Sequence, residues 1–362
     1  MSELPSIADG AGEAGVTGAV ADLSPAYFGL VMATGIVSIA ADLQGMRTFA
    51  LALFALNIGA WLLLWGLNII RAIRYPRRFL GDLTDHLRAP GFFTAVAGTS
   101  LLGTQFLLFA GAYRTALAFG VFAAVLWFAC TYTVFAAFTV KIVKPPLDKG
   151  ISGAWLLTVV STQSLALLAA HLAAHAQPHT RIAMNFFALS MWLWGGMLYI
   201  WLMVLIFYRY TFFRLAPEDL APPYWINMGA MAISTLAGAF LIINAPDAPF
   251  LHAILPFLKG FTILYWATAT WWIPMLAILA VWRHGYMRFP LRYDPLYWGA
   301  VFPLGMYSAA THEMGQALAL EFLGIPTEVF LYVAIIAWAA AFAGLARRLV
   351  QHMLRHGPVH PA

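Results

Sequence analysis

The sequence predicts an all-α polytopic membrane protein whose ten transmembrane helices form five hairpins, and three observations predict it. Hydrophobic residues make up 62% of the 362 residues and charged residues only 10%, with a mean hydropathy of +0.79; soluble domains carry roughly 25% charge. The apolar runs approach or exceed the roughly 20 residues that a helix needs to cross a hydrocarbon core about 30 Å thick. They also lack the alternating ten-residue pattern of an outer-membrane barrel.

In chain order, Met1 to Leu23 carries Glu3, Asp9, Glu13 and Asp22 and no Lys or Arg. Without a basic start or an apolar centre it is not a cleavable signal, and it reads as a disordered tail. Apolar runs bounded by charges, prolines and loop residues then fall at about 25–42, 48–71, 91–111, 115–140, 151–173, 182–207, 224–245, 253–282, 295–316 and 327–350. The transport domain is therefore placed at 24–351 and a short tail at 352–362. Sixteen of the twenty Lys and Arg fall in alternate loops and the C-terminal tail, from Arg71 through Lys149 and Arg214 to Arg355. The positive-inside bias then puts both termini in the cytoplasm, with an even number of spans in the inner membrane. Short turns such as Gln44 to Arg47 and Gly111 to Arg114 close the hairpins on the opposite side.

The two helices of each hairpin differ. First helices hold small and hydroxyl residues, among them Thr34, Gly35 and Ser38, then Thr99, Ser100 and Gly103, then Thr162, then Ser234, then Gly305 and Thr311. Second helices are bulky and apolar, as in FALALFALNIGAWLLLWGL. Small residues and hydroxyls suit helix contacts and wet cavities, whereas Leu, Phe and Trp face lipid. An inner ring of five odd-numbered helices inside five even-numbered ones follows. The ninth run, Asp294 to Gln316, is the most informative. Phe302 lies about eight residues past its start, near mid-membrane by helix rise. Pro303 removes the amide that would bond back to Gly299, a break tolerated where a helix lines a cavity. The helix is expected to line a pore with the Phe302 ring as its constriction.

SPAYFGLVMATGIVSIA in the first span and DPLYWGAVFPLGMYSAAT in the ninth resemble the tellurite-resistance/dicarboxylate transporter family. That family includes bacterial TehA, the plant slow-type anion channels, and fungal malate and sulfite transporters. The resemblance spans about Ser24 to Val350. It implies ten helices about a pseudo-fivefold pore, assembly as homotrimers, and a pore-plugging phenylalanine in the ninth helix, matched here by Phe302.

An anion entering a low-dielectric core needs fixed cations or many weak dipoles. The first helices offer hydroxyls and kinks, so Thr34, Ser38, Thr99, Thr162, Ser234 and Gly305 are the candidate pore lining, although hydroxyls are as common at dry helix contacts. His312 and Glu313 are the candidates for proton coupling; they lie roughly 16 Å beyond Phe302, where an interfacial role is the alternative. His171, His175 and His179 read as a solvated interfacial cluster without the further ligands a metal site needs. Cys130 is the only cysteine, so no disulfide or thiolate cluster is expected, and no cofactor motif or nucleic-acid patch is present. Three functions stay open. The first is passive transport of small anions or organic acids, the second a proton-coupled C4-dicarboxylate or sulfite carrier, and the third a membrane-embedded enzyme.

Overall fold

A computed structural model of the chain describes residues 16–291 and 293–355, so Arg292 and the outermost residues of both tails lie outside it. The described residues form α-helices and no strand. A short α1 (Val16–Ala21) leads into α2 (Gly29–Leu43), α3 (Arg47–Arg74) and the surface helix α4 (Pro76–Leu83). Next come α5 (Phe93–Ala110), α6 (Tyr113–Val140) and the single turn α7 (Leu147–Gly150), then α8 (Leu157–Ala174) and α9 (Pro178–Phe212). The last two units are α10 (Ile226–Asn244), α11 (Pro249–Ala253) and α12 (Leu255–Val281), then α13 (Trp298–Leu318) and α14 (Gly324–Arg355). The tail expected through Leu23 is helical over Val16–Ala21, where the Ala21 carbonyl accepts a bond from Arg71 Nε at 3.0 Å.

Nine stretches among the described residues are long and apolar enough to cross a membrane. They contain α2, α3, α5, α6, α8, α9, α10, α12 and α14. The 21-residue α13 is not one of the nine, because Ser308, Thr311, His312, Glu313 and Gln316 dilute its apolar run. Burial explains why α13 tolerates them: Val301 through Thr311 are buried throughout, so this helix offers little surface to lipid.

Five helices start alike. Short 3-10 turns at Pro25–Phe28, Ala89–Phe92, Gly153–Leu156, Pro222–Trp225 and Pro295–Tyr297 lead into α2, α5, α8, α10 and α13. Proline suits a first turn because its missing amide would have had no helical partner there. Ser24, Ser152 and Asp294 cap three of these turns by accepting the amides of Ala26, Ala154 and Leu296. At the opposite end, Gly45 and Gly111 take φ of +81° and +61°, the left-handed conformation that lets α3 and α6 turn back tightly.

The same five helices pack in a closed circuit. Contacts run from α2 to α5, α5 to α8, α8 to α10, α10 to α13, and α13 back to α2. In α2, α5, α8 and α10 between 83% and 100% of the apolar stretch is buried, against 17–44% in α3, α6, α9, α12 and α14. The latter five therefore form an outer layer, and their exposed Leu62, Val125, Val204, Ile263 and Ile336 present an apolar belt that suits lipid and not water.

Candidate functional site: the interior of the five-helix ring

The faces of α13 are assigned by its neighbours. Tyr307 and Thr311 turn to α12, where the Tyr307 and Thr270 hydroxyls lie 2.8 Å apart and Trp266 Nε1 donates to Thr311 Oγ1 at 3.0 Å. Ser308 donates to the Thr327 carbonyl of α14 at 2.8 Å. A methyl on Gly305 would stand 3.0 Å from Val37 Cγ2 of α2, and one on Gly229 of α10 would stand 2.7 Å from Pro303 Cγ. Phe302 precedes Thr311 by nine residues, and at about 100° per residue that is half a turn away. It points from the outer layer towards the interior of the ring, and it is 0% exposed.

Counting from the lead-in turns gives Phe302 four counterparts. Five residues past Tyr27, Phe92, Trp155, Tyr224 and Tyr297 stand Met32, Ala97, Val160, Gly229 and Phe302, all buried. One aromatic ring thus shares a layer with residues as small as alanine and glycine. The five ring helices α2, α5, α8, α10 and α13 contain no Lys or Arg, so nothing in their interior is a fixed cation.

The hydroxyls expected in the lining are engaged elsewhere. Thr34, Thr99 and Thr162 each accept an indole N–H from the outer layer, from Trp338 at 2.9 Å, Trp61 at 3.0 Å and Trp127 at 2.8 Å. Ser38 donates to the Ala50 carbonyl of α3 at 2.7 Å, and Ser234 to the Ala230 carbonyl of its own helix at 2.8 Å. Gly305 is a close-packing position against α2. These three threonines, expected in the lining, are held by indoles, because an indole in an apolar layer takes whatever acceptor faces it. Two hydroxyl residues lie above the layer on its own face, Ser164 four residues past Val160 and Thr104 seven residues past Ala97; both are buried and, like Ser234, donate to their own helix, to the Ser161 carbonyl at 2.7 Å and the Ser100 carbonyl at 3.1 Å.

His312 and Glu313 part company. His312 opens into a cavity of about 570 Å³ between α2, α13 and α14, shared with Gln44, Gln316, Glu321 and Glu328. Glu313 follows Phe302 by eleven residues, about three full turns, and so returns to the same face of α13. The three histidines do not form one solvated cluster: His171 is buried with its ring 3.9 Å from that of Phe240, whereas His175 and His179 are exposed. The tryptophans were the signal that a residue-by-residue reading passes over. Each outer helix carries one indole that reaches the next ring helix, and the pattern shows only when hairpins are compared.

A multi-pass helical bundle, with a ring of five buried helices inside an apolar outer layer, defines a membrane protein. The family model described as voltage-dependent anion channel (SLAC1) matches residues 22–346, and the chain belongs to that family. It is similar to an uncharacterised transporter of Methanocaldococcus jannaschii, 25% identical over 312 residues that cover 83% of this chain and 87% of the relative. It is also similar to a sulfite efflux pump of Arthroderma benhamiae, 24% identical over 351 residues that cover 90% of each. An uncharacterised membrane protein of Mycobacterium tuberculosis is 36% identical over 160 residues, 44% of this chain and 81% of the relative.

Proposed function

We propose that the protein moves small anions or organic acids across the inner (plasma) membrane along the axis of the five-helix ring, with Phe302 as the gate. One observation carries this reading: Phe302 is fully buried on the side of α13 opposite its outer-layer contacts, in a layer whose other members include Ala97 and Gly229. In this reading α13 is the tenth crossing, and the five hairpins repeat about a pseudo-fivefold axis. The repeated lead-in turns and the closed circuit of contacts support it. Both termini face the cytoplasm, as the basic loops favour, and the protomer assembles as a homotrimer, as the resemblance implies.

The chemistry is that of a weakly binding path. A ring interior without cations cannot hold an anion strongly, so hydration is replaced by dipoles, among them the Ser164 and Thr104 hydroxyls once they turn from the Ser161 and Ser100 carbonyls they bond here. Weak sites suit rapid passage. Among inorganic anions sulfite is the first to test, since a relative matching 90% of this chain is a sulfite efflux pump.

A second reading, a proton-coupled dicarboxylate or sulfite carrier, draws on Glu313. Its carboxylate lies on the face of Phe302 and has no hydrogen bond or ion pair among the described residues, and ionisable groups in such positions mark proton or ion routes. Proteoliposomes given chloride, nitrate, sulfite, malate or tellurite, with and without a pH gradient, separate the two. Passive flux that runs down each anion's own gradient supports the first. Uphill uptake driven by the proton gradient, and lost in Glu313→Gln, supports the second. Protein that transports none of the five overturns both.

A further inference from the structure

Five indoles form a belt around the ring. Trp61 of α3 bonds to Thr99 of α5, Trp127 of α6 to Thr162 of α8, Trp266 of α12 to Thr311 of α13, and Trp338 of α14 to Thr34 of α2. The fifth, Trp192 of α9, donates to the Ser234 carbonyl of α10 at 2.7 Å. In every case the outer helix of one hairpin reaches the ring helix of the next, and Trp338 to Thr34 closes the circle across 304 residues of sequence.

The exception on α10 has a steric cause. A methyl on Gly238 would stand 3.2 Å from Trp192 Nε1, so the indole occupies the space that a threonine side chain would need. With no hydroxyl there, the indole takes the carbonyl one turn earlier. Gly238 is thus the fifth contact position, and all five contact positions bear one relation to the Phe302 layer. Thr34, Thr99 and Thr162 follow Met32, Ala97 and Val160 by two residues; Gly238 and Thr311 follow Gly229 and Phe302 by nine. Two residues and nine residues are each about half a turn of helix. Each indole therefore grips its ring helix on the side away from the layer residue, about 3 Å further along the helix in α2, α5 and α8 and about 13 Å further in α10 and α13.

The energetics favour such a grip. An indole N–H left unpaired in an apolar layer costs the free energy of its lost hydration, so it holds its acceptor firmly. Dispersion contacts are non-directional, so the rotation of a ring helix rests on its few polar contacts, which on α13 are the Trp266 bond together with Tyr307 to Thr270 and Ser308 to the Thr327 carbonyl. A directional bond at its back sets that angle. At Thr162 the hydroxyl also donates to the Thr158 carbonyl at 2.8 Å, which fixes the lone pair offered to Trp127.

We propose that the five tryptophans are positioning residues that set the rotation of each ring helix, and that the Trp266 to Thr311 bond aims residue 302 at the axis. The proposal rests on the ring interior being the path only in that a water-borne reagent must reach it; flux through Phe302→Ala reports the gate separately.

The test uses the full chain in proteoliposomes, with Cys130→Ser to remove the native thiol and a single thiol placed by Phe302→Cys or by Val160→Cys. The rate of reaction with an anionic methanethiosulfonate is measured for each. Adding Trp266→Phe lowers the rate at position 302 about fivefold, the population change that loss of one net hydrogen bond of about 1 kcal/mol allows, and leaves position 160 unchanged. Trp127→Phe does the reverse. Thr311→Val, which keeps the shape and removes the acceptor, reproduces Trp266→Phe, and Thr311→Ser keeps the parent rate. Equal rates with and without each indole overturn the proposal. So does a change at both positions from either substitution, which is general loosening, and so does a thiol at 302 that never reacts in the parent.

Discussion

At Gly238 a missing side chain is as informative as a present one. A methyl there would stand 2.3 Å from Thr262 Oγ1 and 3.1 Å from Trp192 Cζ2, and overpacking of this kind costs typically about 1–3 kcal/mol. Gly238→Ala is expected to lower the melting temperature of the purified protein, while Gly260→Ala, with nothing within 4 Å of the added methyl, leaves it unchanged or raises it. The same scale shows where sequence reading stops. Thr34, Thr99 and Thr162 sit on ring helices as their neighbours' small size suggests, yet a hydroxyl looks identical in sequence whether it faces a lumen or a neighbouring indole. For Phe302 two counts support the proposed role, depth from Asp294 in the sequence and half a turn from Thr311 in the structure.

The helices themselves were legible because hydrophobic length, proline and glycine act locally. Lead-in prolines at Pro25, Pro90, Pro222 and Pro295 and turn glycines at Gly45 and Gly111 mark the ends that the structure shows. α13 is the exception that hydropathy alone leaves out, since a helix surrounded by protein is free to carry Ser308, Thr311 and Glu313. What local signals could not show is the small assembly at the end of α3. Arg71, 1% exposed, donates to the Ala21 carbonyl of α1 and pairs at 2.5 Å with Asp82 of α4, which also holds Arg88. This contact carries the chain from α1 past α3 to α4. Asp82→Asn leaves a buried guanidinium without its counter-charge, a change that costs about 3–5 kcal/mol when one partner of a buried pair is removed. The expected result is a clear drop in thermal stability in detergent, with Arg78→Ala, whose partner Asp22 is exposed, as the near-neutral comparison.

At the scale of the whole molecule, the contact circuit and the indole belt both return from the last hairpin to the first, so the ring is closed by the chain's own ends. Closure sets the five buried helices in one circuit, and Phe302 is the one aromatic among Met32, Ala97, Val160, Gly229 and itself. Composition foretold two layers of helices, because lipid and protein interiors select different residues. The direction of each helix about its own axis came only from long-range bonds, which carry no local signature. The central claim is that Phe302 closes this axis to anions, and flux of chloride and sulfite into proteoliposomes carrying Phe302→Ala measures it most directly. Flux well above that of the parent protein, with the melting temperature little changed, is the predicted result; well-folded variant protein whose flux equals or falls below the parent's would contradict it.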